Sequence, residues 1–350
     1  MAKNSEHTDK ISDIGEFGLI KHITSDLETR HSSTIKSVGD DAAVLNFNNK
    51  HIVVTTDLLV EGIHFDLIYT PLKHLGYKSV IVNLSDVYAM NATPKQITVS
   101  LAVSNKISLK IIEELYEGIK LACDLYNIDL IGGDTSSSVT GMLISVTAIG
   151  EADADKIVYR NTAKHNDLVC VSGNLGGAYA GLQLLEREKA VFGSAPGIQP
   201  DLGKYSYILE KQLKPEARKD IIDLFKRINI KPTSMIDISD GISSDISHIC
   251  TASGVGCKLF EDKIPIHDQT ISFAEEINLN PSILALNGGE DYELLFTVSL
   301  DEYEKIKDSQ GIHVIGHISK ISSGRKIITR EGTETDLYAQ GWNTFKGEEK

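Results

Sequence analysis

The chain has 350 residues, of which 41% are hydrophobic and 24% are charged, a composition typical of a globular protein long enough for two domains. Acidic residues outnumber basic ones by 49 to 35, giving a net charge of −14. This charge disfavours a nucleic-acid partner, since no basic stripe is offered to a phosphate backbone. No apolar run approaches the roughly 20 residues that a membrane span needs, which disfavours a membrane partner.

The cysteines and the first residues indicate the compartment. None of the four cysteines, Cys123, Cys170, Cys250 and Cys257, forms a C-x-x-C pair, which disfavours a zinc site. We expect them to be buried as small apolar side chains in a reducing compartment. The first ten residues are polar and lack the apolar core of a signal segment. A cytoplasmic protein is therefore expected.

The first part of the chain alternates strands and helices. The predicted elements are strands at 43–47 and 51–56, a helix at 75–90, a strand at 96–103, a helix at 108–126 and a strand at 142–149. Ser108 is a plausible N-cap for the second helix. This β-β-α-β-α-β order predicts an α+β domain over residues 36–151, preceded by an N-terminal extension over residues 1–35.

The second part predicts an α/β domain over residues 152–346, followed by a loose, charged tail at 347–350. A polar connector at 152–164 leads into it. The predicted elements are a strand at 168–172, helices near 175–187, 204–212 and 216–227, a strand at 234–238, a helix from Ile242, and strands at 293–298 and 313–318. The stretch 192–202 contains two glycines and two prolines, which predict a loop.

Short acidic motifs recur along the chain, and the clearest covers residues 235–241. There Asp237 and Asp240 follow an apolar strand and precede a glycine turn. The theme recurs as GDD at 39–41, TTD at 55–57, NLSD at 83–86 and GGDT at 132–135. Converging carboxylates repel one another, so a fold that gathers them places positive charge between them. Oxygen ligands favour Mg²⁺, which usually completes its shell with substrate phosphates. The pattern predicts an enzyme that handles a nucleoside triphosphate.

Some of these motifs also have a plain structural interpretation. The GDD motif is either an ordinary turn or a pair of ligands. The TTD motif ends a very apolar predicted strand, where its side chains either cap the strand or meet a ligand. Asp86 lies in an apolar helical pattern, which is unfavourable unless a cation or a buried partner compensates its charge. His64, seven residues after Asp57, is either a packed or surface histidine or a ligand.

Glycine-rich segments add candidate phosphate contacts. GGDTSSS at 132–138 is typical of a Gly/Ser loop that approaches phosphate or metal closely. The glycines at 173, 176 and 177 precede a helix and are positioned to bind an anion at its N-terminus. The sequence contains neither G-x-x-x-x-G-K-[ST] nor G-x-G-x-x-G, so a P-loop is excluded. Glu290 stands at the rim of an apolar strand, and Trp342 either packs on the core or stacks on an aromatic substrate ring.

Together these segments resemble the thiamine-monophosphate kinase family of the aminoimidazole-ribotide-synthetase-like superfamily. The resemblance is carried, in the family's order, by GDDAAV (39–44), TTDLLVEGIHF (55–65), NLSDVYAM (83–90), GGDTSSS (132–138), IDISDGISSD (236–245) and NGGEDYELLF (287–296). Six ordered motifs are highly specific, although no single one is. The chain departs from the pattern at Tyr88 and Asn91, where Ala and Gly are usual, at 136–137, where Thr-Arg is common, and at Gly177, where an acidic residue is frequent.

The resemblance implies ATP-dependent phosphorylation of thiamine monophosphate to thiamine diphosphate, the last step in its synthesis, with several Mg²⁺ ions. It also implies a homodimer whose N-terminal sheets meet in a shared barrel that binds ATP and Mg²⁺. The catalytic residues implied by motif position are Asp57, Asp86 and Asp240. The implied metal ligands are Asp41, Thr55, Thr56, Asp57, Asp86, Asp134, Asp237 and Asp240. The implied ATP contacts are Gly133, Asp134, Arg160 and Ser239, and the implied thiamine contacts are His64, Glu290 and Trp342.

Four other interpretations remain open. A selenophosphate synthetase would need a reactive cysteine near the N-terminus, whereas the first cysteine is Cys123, inside a predicted helix. A hydrogenase-maturation carbamoyl dehydratase would end in a cysteine, whereas this sequence ends in lysine. An aminoimidazole ribotide synthetase shares the expected fold and differs in substrate. A non-catalytic sensor of Mg-nucleotide would bind ATP without consuming it.

Overall fold

The structure is a computed structural model that describes residues 31–36, 39–47, 50–104, 107–194 and 202–338. Most of the predicted extension at 1–35, the tail at 347–350 and Trp342 lie outside these residues. Most of the predicted loop at 192–202 also lies outside them, and its first three residues belong to a helix.

The first sheet positions most of the acidic motifs. Its strands are β1 (Thr34–Lys36), β2 (Ala43–Phe47), β3 (Lys50–Val60), β4 (Thr93–Val103), β5 (Asp129–Ser137) and β6 (Leu143–Asp153). Their order across the sheet is β1-β2-β3-β6-β4-β5. Neighbouring strands are antiparallel except β4 and β5, which are parallel and are connected by helix α2 (Leu109–Tyr126). Helix α2 follows Ser108, whose side chain makes no capping hydrogen bond, and Asn127 directly after the helix adopts the left-handed conformation.

Helix α1 (Leu72–Ala89) lies between the first sheet and the rest of the protein. It begins after Pro71, three residues earlier than predicted, and most of its residues are buried. Burial on nearly all sides is typical of a central helix. Four of its buried side chains are polar, Lys78, Ser79, Asn83 and Ser85. Such side chains require partners, which directs attention to this helix as part of a site.

The second sheet has seven strands in the order β13-β12-β9-β11-β7-β10-β8. They are β7 (Leu168–Ser172), β8 (Ser234–Asp237), β9 (Gly256–Phe260), β10 (Leu294–Val298), β11 (Ile312–Ser319), β12 (Arg325–Ile328) and β13 (Glu334–Asp336). Neighbours are antiparallel except β9 and β12. The described helices of this part are α3 (Gly177–Ser194), α4 (Ser206–Leu213), α5 (Lys219–Ile228), α6 (Ile242–Ser253), α7 (Asp268–Glu276), α8 (Pro281–Asn287) and α9 (Tyr303–Ile306).

The two sheets share one apolar cluster, which extends from Ile81 on α1 to Phe225 on α5 and Phe296 on β10. Two sheets with their own helices agree with the predicted two-domain α+β and α/β architecture. The boundary placed at residue 151 stays a prediction. Among the described helices, none has both the length and the apolar composition that crossing a bilayer requires.

Two predicted elements differ from the structure. The strand predicted at 51–56 extends to Val60, because it pairs with β6 over its whole length. The TTD motif therefore lies inside a strand and does not end it. The GGDTSSS segment, expected as a loop, forms most of β5, because parallel pairing with β4 provides its backbone hydrogen bonds despite its low strand propensity.

The family departures at Tyr88 and Asn91 have structural partners. Tyr88 is buried, and its ring centroid lies 6.3 Å from that of Tyr126. Asn91 adopts φ +54°, a left-handed conformation that glycine adopts freely and asparagine tolerates. Its side-chain amide donates to the carbonyl of Lys156 at 2.9 Å. Tyr88 is therefore compatible with its buried position, and Asn91 with its left-handed backbone.

Candidate active site

Three carboxylates from three separate elements converge at the boundary between the two sheets. Asp41 precedes β2, Asp86 lies on α1 and Asp237 ends β8. One oxygen from each lies within 4.8 Å of the other two. Asp41 and Asp237 are buried, with 6% and 3% exposure. This carboxylate cluster (Asp41, Asp86, Asp237) brings together three of the eight residues that the resemblance implies as metal ligands.

Asp86 is held against strand β3 by hydroxyl and amide groups. Thr55 Oγ1 donates to Asp86 Oδ2 at 2.6 Å. Asn83, one helical turn before Asp86, accepts from the backbone N–H of Asp57 at 3.0 Å. Burial, followed by the negative charges of Asp57, Asp237 and Asp41, raises the pKa of Asp86 well above its ordinary value. The carboxyl is thus surrounded by other acids rather than by cations.

Asp237 joins the same cluster from the second sheet. Ser85 Oγ on α1 donates to its Oδ2 at 2.7 Å. Burial and the charge of Asp41 raise the pKa of Asp237 well above its ordinary value, while the Ser85 hydrogen bond and the charge of Arg160 oppose that rise. Raised pKa values on two carboxyls in contact are typical of a site that binds a cation or shares protons.

Arg160 supplies positive charge at one edge of the cluster. Its guanidinium makes a two-bond contact with Asp41, with Nε–Oδ2 at 2.8 Å and Nη2–Oδ1 at 2.7 Å. Its Nε also lies 3.8 Å from Asp40 Oδ1. Burial and then the charge of Asp41 raise the pKa of Asp40 to about 6, against the opposing charge of Arg160. One guanidinium beside four acids leaves an excess of negative charge.

The turn after Asp237 packs directly on the glycine pair at 288–289. The backbone N–H of Glu290 donates to the carbonyl of Ser239 at 2.8 Å. A Cβ on Gly289 would lie 2.1 Å from that carbonyl oxygen, so no larger residue fits. Gly241 adopts φ +101°, which favours glycine. Ser239 is exposed and Asp240 is half-buried beside this contact.

The thiamine residues implied by the resemblance meet through Lys78. His64 and Lys78 line one small cavity, and Lys78 Nζ lies 3.1 Å from Glu290 Oε2. His64 Nδ1 accepts from the backbone N–H of Val60 at 3.0 Å, which assigns the neutral ring's proton to Nε2. The position of Trp342 relative to this cavity stays a prediction.

Within one chain, two of the implied metal ligands lie away from the cluster. Strands β3 and β5 are separated by three strand spacings, about 14 Å. Across the sheet, Asp134 pairs with Ser100, Ser100 with Ser145, and Ser145 with Leu58. Asp134 therefore lies on the same sheet face as Leu58, which is the face opposite Asp57. Thr56 is on that same open face, where its hydroxyl contacts Thr147 and Val146.

Gly133 lies so close to Val99 that a Cβ on Gly133 would be 1.8 Å from the Val99 carbonyl oxygen.

The predicted anion site at the glycines before α3 is occupied by the protein itself. The backbone N–H groups of Gly176 and Ala178 donate to Asp291 at 2.6 and 3.1 Å. Burial raises the pKa of Asp291 to about 7, and these two hydrogen bonds oppose the rise. The interpretation of this N-terminus as a substrate-anion site is therefore wrong, because an internal carboxylate already takes its donors.

Several residues of the site were missing from the prediction. Asp245 on α6 is buried, and burial followed by the charge of Asp240 raises its pKa well above its ordinary value. Its Oδ2 accepts from the backbone N–H of Asp240 at 3.3 Å. Asn83 and Ser85 lie inside the NLSD motif, in which the sequence assigns a role to Asp86 alone. Lys78 belongs to no recognisable motif. Its place in an otherwise apolar helix pattern nevertheless indicates a buried partner.

Comparison with known proteins identifies relatives over nearly the whole chain. Residues 39–152 match the family model "AIR synthase related protein, N-terminal domain". The chain is 36% identical to a thiamine-monophosphate kinase of Bacillus subtilis, across 95% of this chain and 99% of the relative. It is 35% identical to a thiamine-monophosphate kinase of Aquifex aeolicus, across 88% and 96% of the two chains.

A solved structure has the same architecture. The structure described as AaThiL complexed with AMPPCP and TMP superposes with a TM-score of 0.83 and 32% identity, covering 97% of this chain and 100% of that chain. A hydrogenase maturation protein HypE in complex with ATP superposes with a TM-score of 0.67 at 19% identity, a likeness in fold alone. The AIR-synthase-like fold is thus established for this chain.

Proposed function

Because the chain belongs to the thiamine-monophosphate kinase family, we propose that it transfers the γ-phosphoryl group of ATP to thiamine monophosphate, forming thiamine diphosphate and ADP. The observation that carries the proposal is the carboxylate cluster, in which three acids from three elements lie within 4.8 Å. Two anionic substrates approach each other in this reaction, so the site requires a way to neutralise their charge.

The residues of the cluster fit Mg²⁺ on their chemistry. The donor set consists of carboxylate and hydroxyl oxygens, which are the ligands of hard cations. Burial, followed by neighbouring carboxylates, raises the pKa values of Asp86 and Asp237 well above their ordinary value, even though Thr55, Ser85 and Arg160 oppose the rise. We propose that Asp41, Asp86 and Asp237 hold Mg²⁺, with Thr55, Asp57 and Asp240 beside them. Bound Mg²⁺ would supply neutralisation of the charge on both phosphates.

The chain's own groups would orient the substrates. Asn83 fixes the backbone at Asp57, and Ser85 fixes Asp237, so the ligands from the two sheets keep their spacing. Arg160 is 17% exposed at its side chain, and we propose that it contacts the ATP phosphates as its motif position implies. Ser239 and Gly133 are proposed as further ATP contacts. His64 and Glu290, beside the same cavity wall, are proposed to bind the thiamine part, together with Trp342.

The reaction needs no strong general base. The phosphate of thiamine monophosphate is already ionised near neutral pH, since its second pKa is about 6. This agrees with the tautomer of His64, whose Nδ1 is engaged by the backbone of Val60. We therefore propose direct, in-line transfer without a phosphorylated protein intermediate.

We further propose a homodimer in which the open face and edge of the first sheet are covered by a second copy. All nine residues of β5 are exposed, and this strand pairs with β4 alone among the described strands. On the open face, Leu58 is 51% exposed. An exposed edge strand is usually covered in natural proteins. Pairing of two N-terminal sheets into a barrel would bring Asp134 of the partner subunit toward the cluster, which Asp134 of the same chain does not reach.

One coupled assay tests the proposed function. The protein, ATP, Mg²⁺ and thiamine monophosphate are incubated, and thiamine diphosphate and ADP are quantified over time. We expect equal amounts of the two products and no ADP without thiamine monophosphate, which distinguishes a kinase from a nucleotide sensor. An acid quench during turnover with γ-labelled ATP is expected to leave the protein unlabelled. Formation of ADP without thiamine diphosphate contradicts the proposal.

A further inference from the structure

A small cavity between the segment 64–70, helix α1 and helix α4 is lined in part by a residue that has a buried, unpaired acceptor. The cavity is lined by His64, Phe65, Tyr69, Thr70, Lys78, Gln212 and Leu213. Gln212 is 5% exposed, and its Oε1 atom is buried and has no hydrogen-bond partner among the described residues. Buried amide oxygens are almost always paired in native proteins. An unpaired one on a residue that lines a cavity is typical of a site that receives a donor from a ligand.

The orientation of the Gln212 amide is determined by Glu290. Gln212 Nε2 donates to Glu290 Oε2 at 3.0 Å. An ionised carboxylate only accepts hydrogen bonds, so the amide must present its NH₂ group to Glu290 and its oxygen elsewhere. Glu290 Oε2 also accepts from Lys78 at 3.1 Å. Glu290 Oε1 accepts from no group of the described chain, so the pair offers two acceptor oxygens.

Lys78, on helix α1, contacts both Gln212 and Glu290. It is 3% exposed, and its Nζ donates both to Glu290 Oε2 and to the backbone carbonyl of Gln212 at 3.0 Å. Glu290 has φ +64°, a conformation that residues other than glycine adopt rarely and only when their surroundings enforce it. The lysine therefore balances the carboxylate's charge and fixes its position.

We propose that Gln212 Oε1 and Glu290 Oε1 form a pair of acceptors, positioned by Lys78, that selects an amino group on the substrate's nitrogen heterocycle. This inference rests on the proposed function, since the pyrimidine ring of thiamine monophosphate carries such an amino group. An amino group donates two hydrogen bonds, whereas an oxo group at the same place presents a third acceptor and leaves both oxygens unpaired. Gln212 is thus a specificity-determining residue, and Lys78 is a positioning residue.

The test compares two substrates at saturating ATP: thiamine monophosphate, and the analogue in which an oxo group replaces the amino group. We expect the wild-type protein to prefer the amino substrate in kcat/KM by at least about 100-fold. Gln212→Met, similar in shape, is expected to lower that preference at least about tenfold, mainly through KM for thiamine monophosphate, with KM for ATP unchanged. Gln212→Asn, too short to reach Glu290, is expected to do the same.

The ratio of the two kcat/KM values does not depend on the fraction of folded protein, so a destabilised variant remains informative. The matched control is Tyr77→Phe, which removes the neighbouring hydrogen bond from Tyr77 to Glu216 and leaves the acceptor pair intact. It is expected to keep the wild-type preference. Retention of that preference by Gln212→Met overturns this inference alone. Absence of thiamine monophosphate turnover in the wild type overturns the proposed function, and with it this inference.

Discussion

Ser85 on the central helix donates a hydrogen bond of 2.7 Å to Asp237 on the second sheet, so one hydroxyl connects the two halves of the candidate site. Asp86, the next residue, contributes to the same carboxylate cluster from the helix. The relative position of two ligands from different sheets therefore depends on a single buried helix. Substitutions on this helix can therefore distinguish effects on stability from effects on metal binding.

Replacement of Ser85 by Ala is expected to lower the free energy of unfolding by about 1–3 kcal/mol, because a buried carboxylate loses a hydrogen bond. It is also expected to raise the Mg²⁺ concentration needed for half-maximal activity, since Asp237 is no longer oriented. Urea unfolding and a Mg²⁺ titration of the rate measure the two effects. The control is Ser79→Ala on the same helix, whose hydroxyl donates to the carbonyl of Gly76 at 2.8 Å. Equal Mg²⁺ requirements in both variants would argue against an orienting role.

The carboxylate cluster is expected to reduce stability in the absence of metal. Asp86→Asn removes one of several closely spaced like charges and should raise the free energy of unfolding in EDTA, on the order of 1–3 kcal/mol. The same variant should lose most of the stabilisation that Mg²⁺ gives the wild type, because it lacks a ligand. Thermal unfolding in EDTA and in Mg²⁺ measures both. The exposed Asp124→Asn serves as the control. Destabilisation in EDTA, with the Mg²⁺ effect retained, is the contradicting pattern.

The raised pKa values predict that the stability of the metal-free protein decreases as the pH rises. Asp86 and Asp237 have higher pKa values in the folded protein than the ordinary 3.8, so the folded state binds more protons above that pH. The metal-free protein should therefore lose stability as the pH rises through the raised values. Mg²⁺ displaces those protons, so its stabilising effect should be larger near pH 8 than near pH 6. Urea unfolding at both pH values checks this, and a Mg²⁺ effect that decreases with pH would refute it.

The position of Asp134 predicts complementation between subunits. If Asp134 of the partner subunit completes each site, neither Asp57→Asn nor Asp134→Asn alone should be active. A randomly mixed population should then recover about a quarter of the wild-type activity, because half of the dimers regain one of two sites. Activity of coexpressed, differently tagged variants measures this. No recovery, despite isolated mixed dimers, would place Asp57 and Asp134 in the same chain's site.

Three of the acidic motifs contribute to the cluster, and each lies at a turn or at an unfavourable position that is visible in the sequence. Asp86 in an apolar helix and Asp237 before a glycine turn are examples, and both lie in the cluster. The strand at β5 was not predictable from its glycines and serines, because only parallel pairing with β4 makes it a strand. The contact between Lys78 and Glu290 joins positions 212 residues apart, and no local pattern encodes such a partner.

The most direct test of the central claim is the steady-state rate of thiamine diphosphate formation from ATP, Mg²⁺ and thiamine monophosphate. It is measured for the wild type, for Asp57→Asn and Asp240→Asn, and for the exposed control Asp124→Asn. We predict that the wild type and the control turn over at similar rates. Each of the other two variants should be slower by at least about a hundredfold, the scale of losing a charge-stabilising group. Near-wild-type rates for Asp57→Asn and Asp240→Asn would contradict the proposed metal-assisted site.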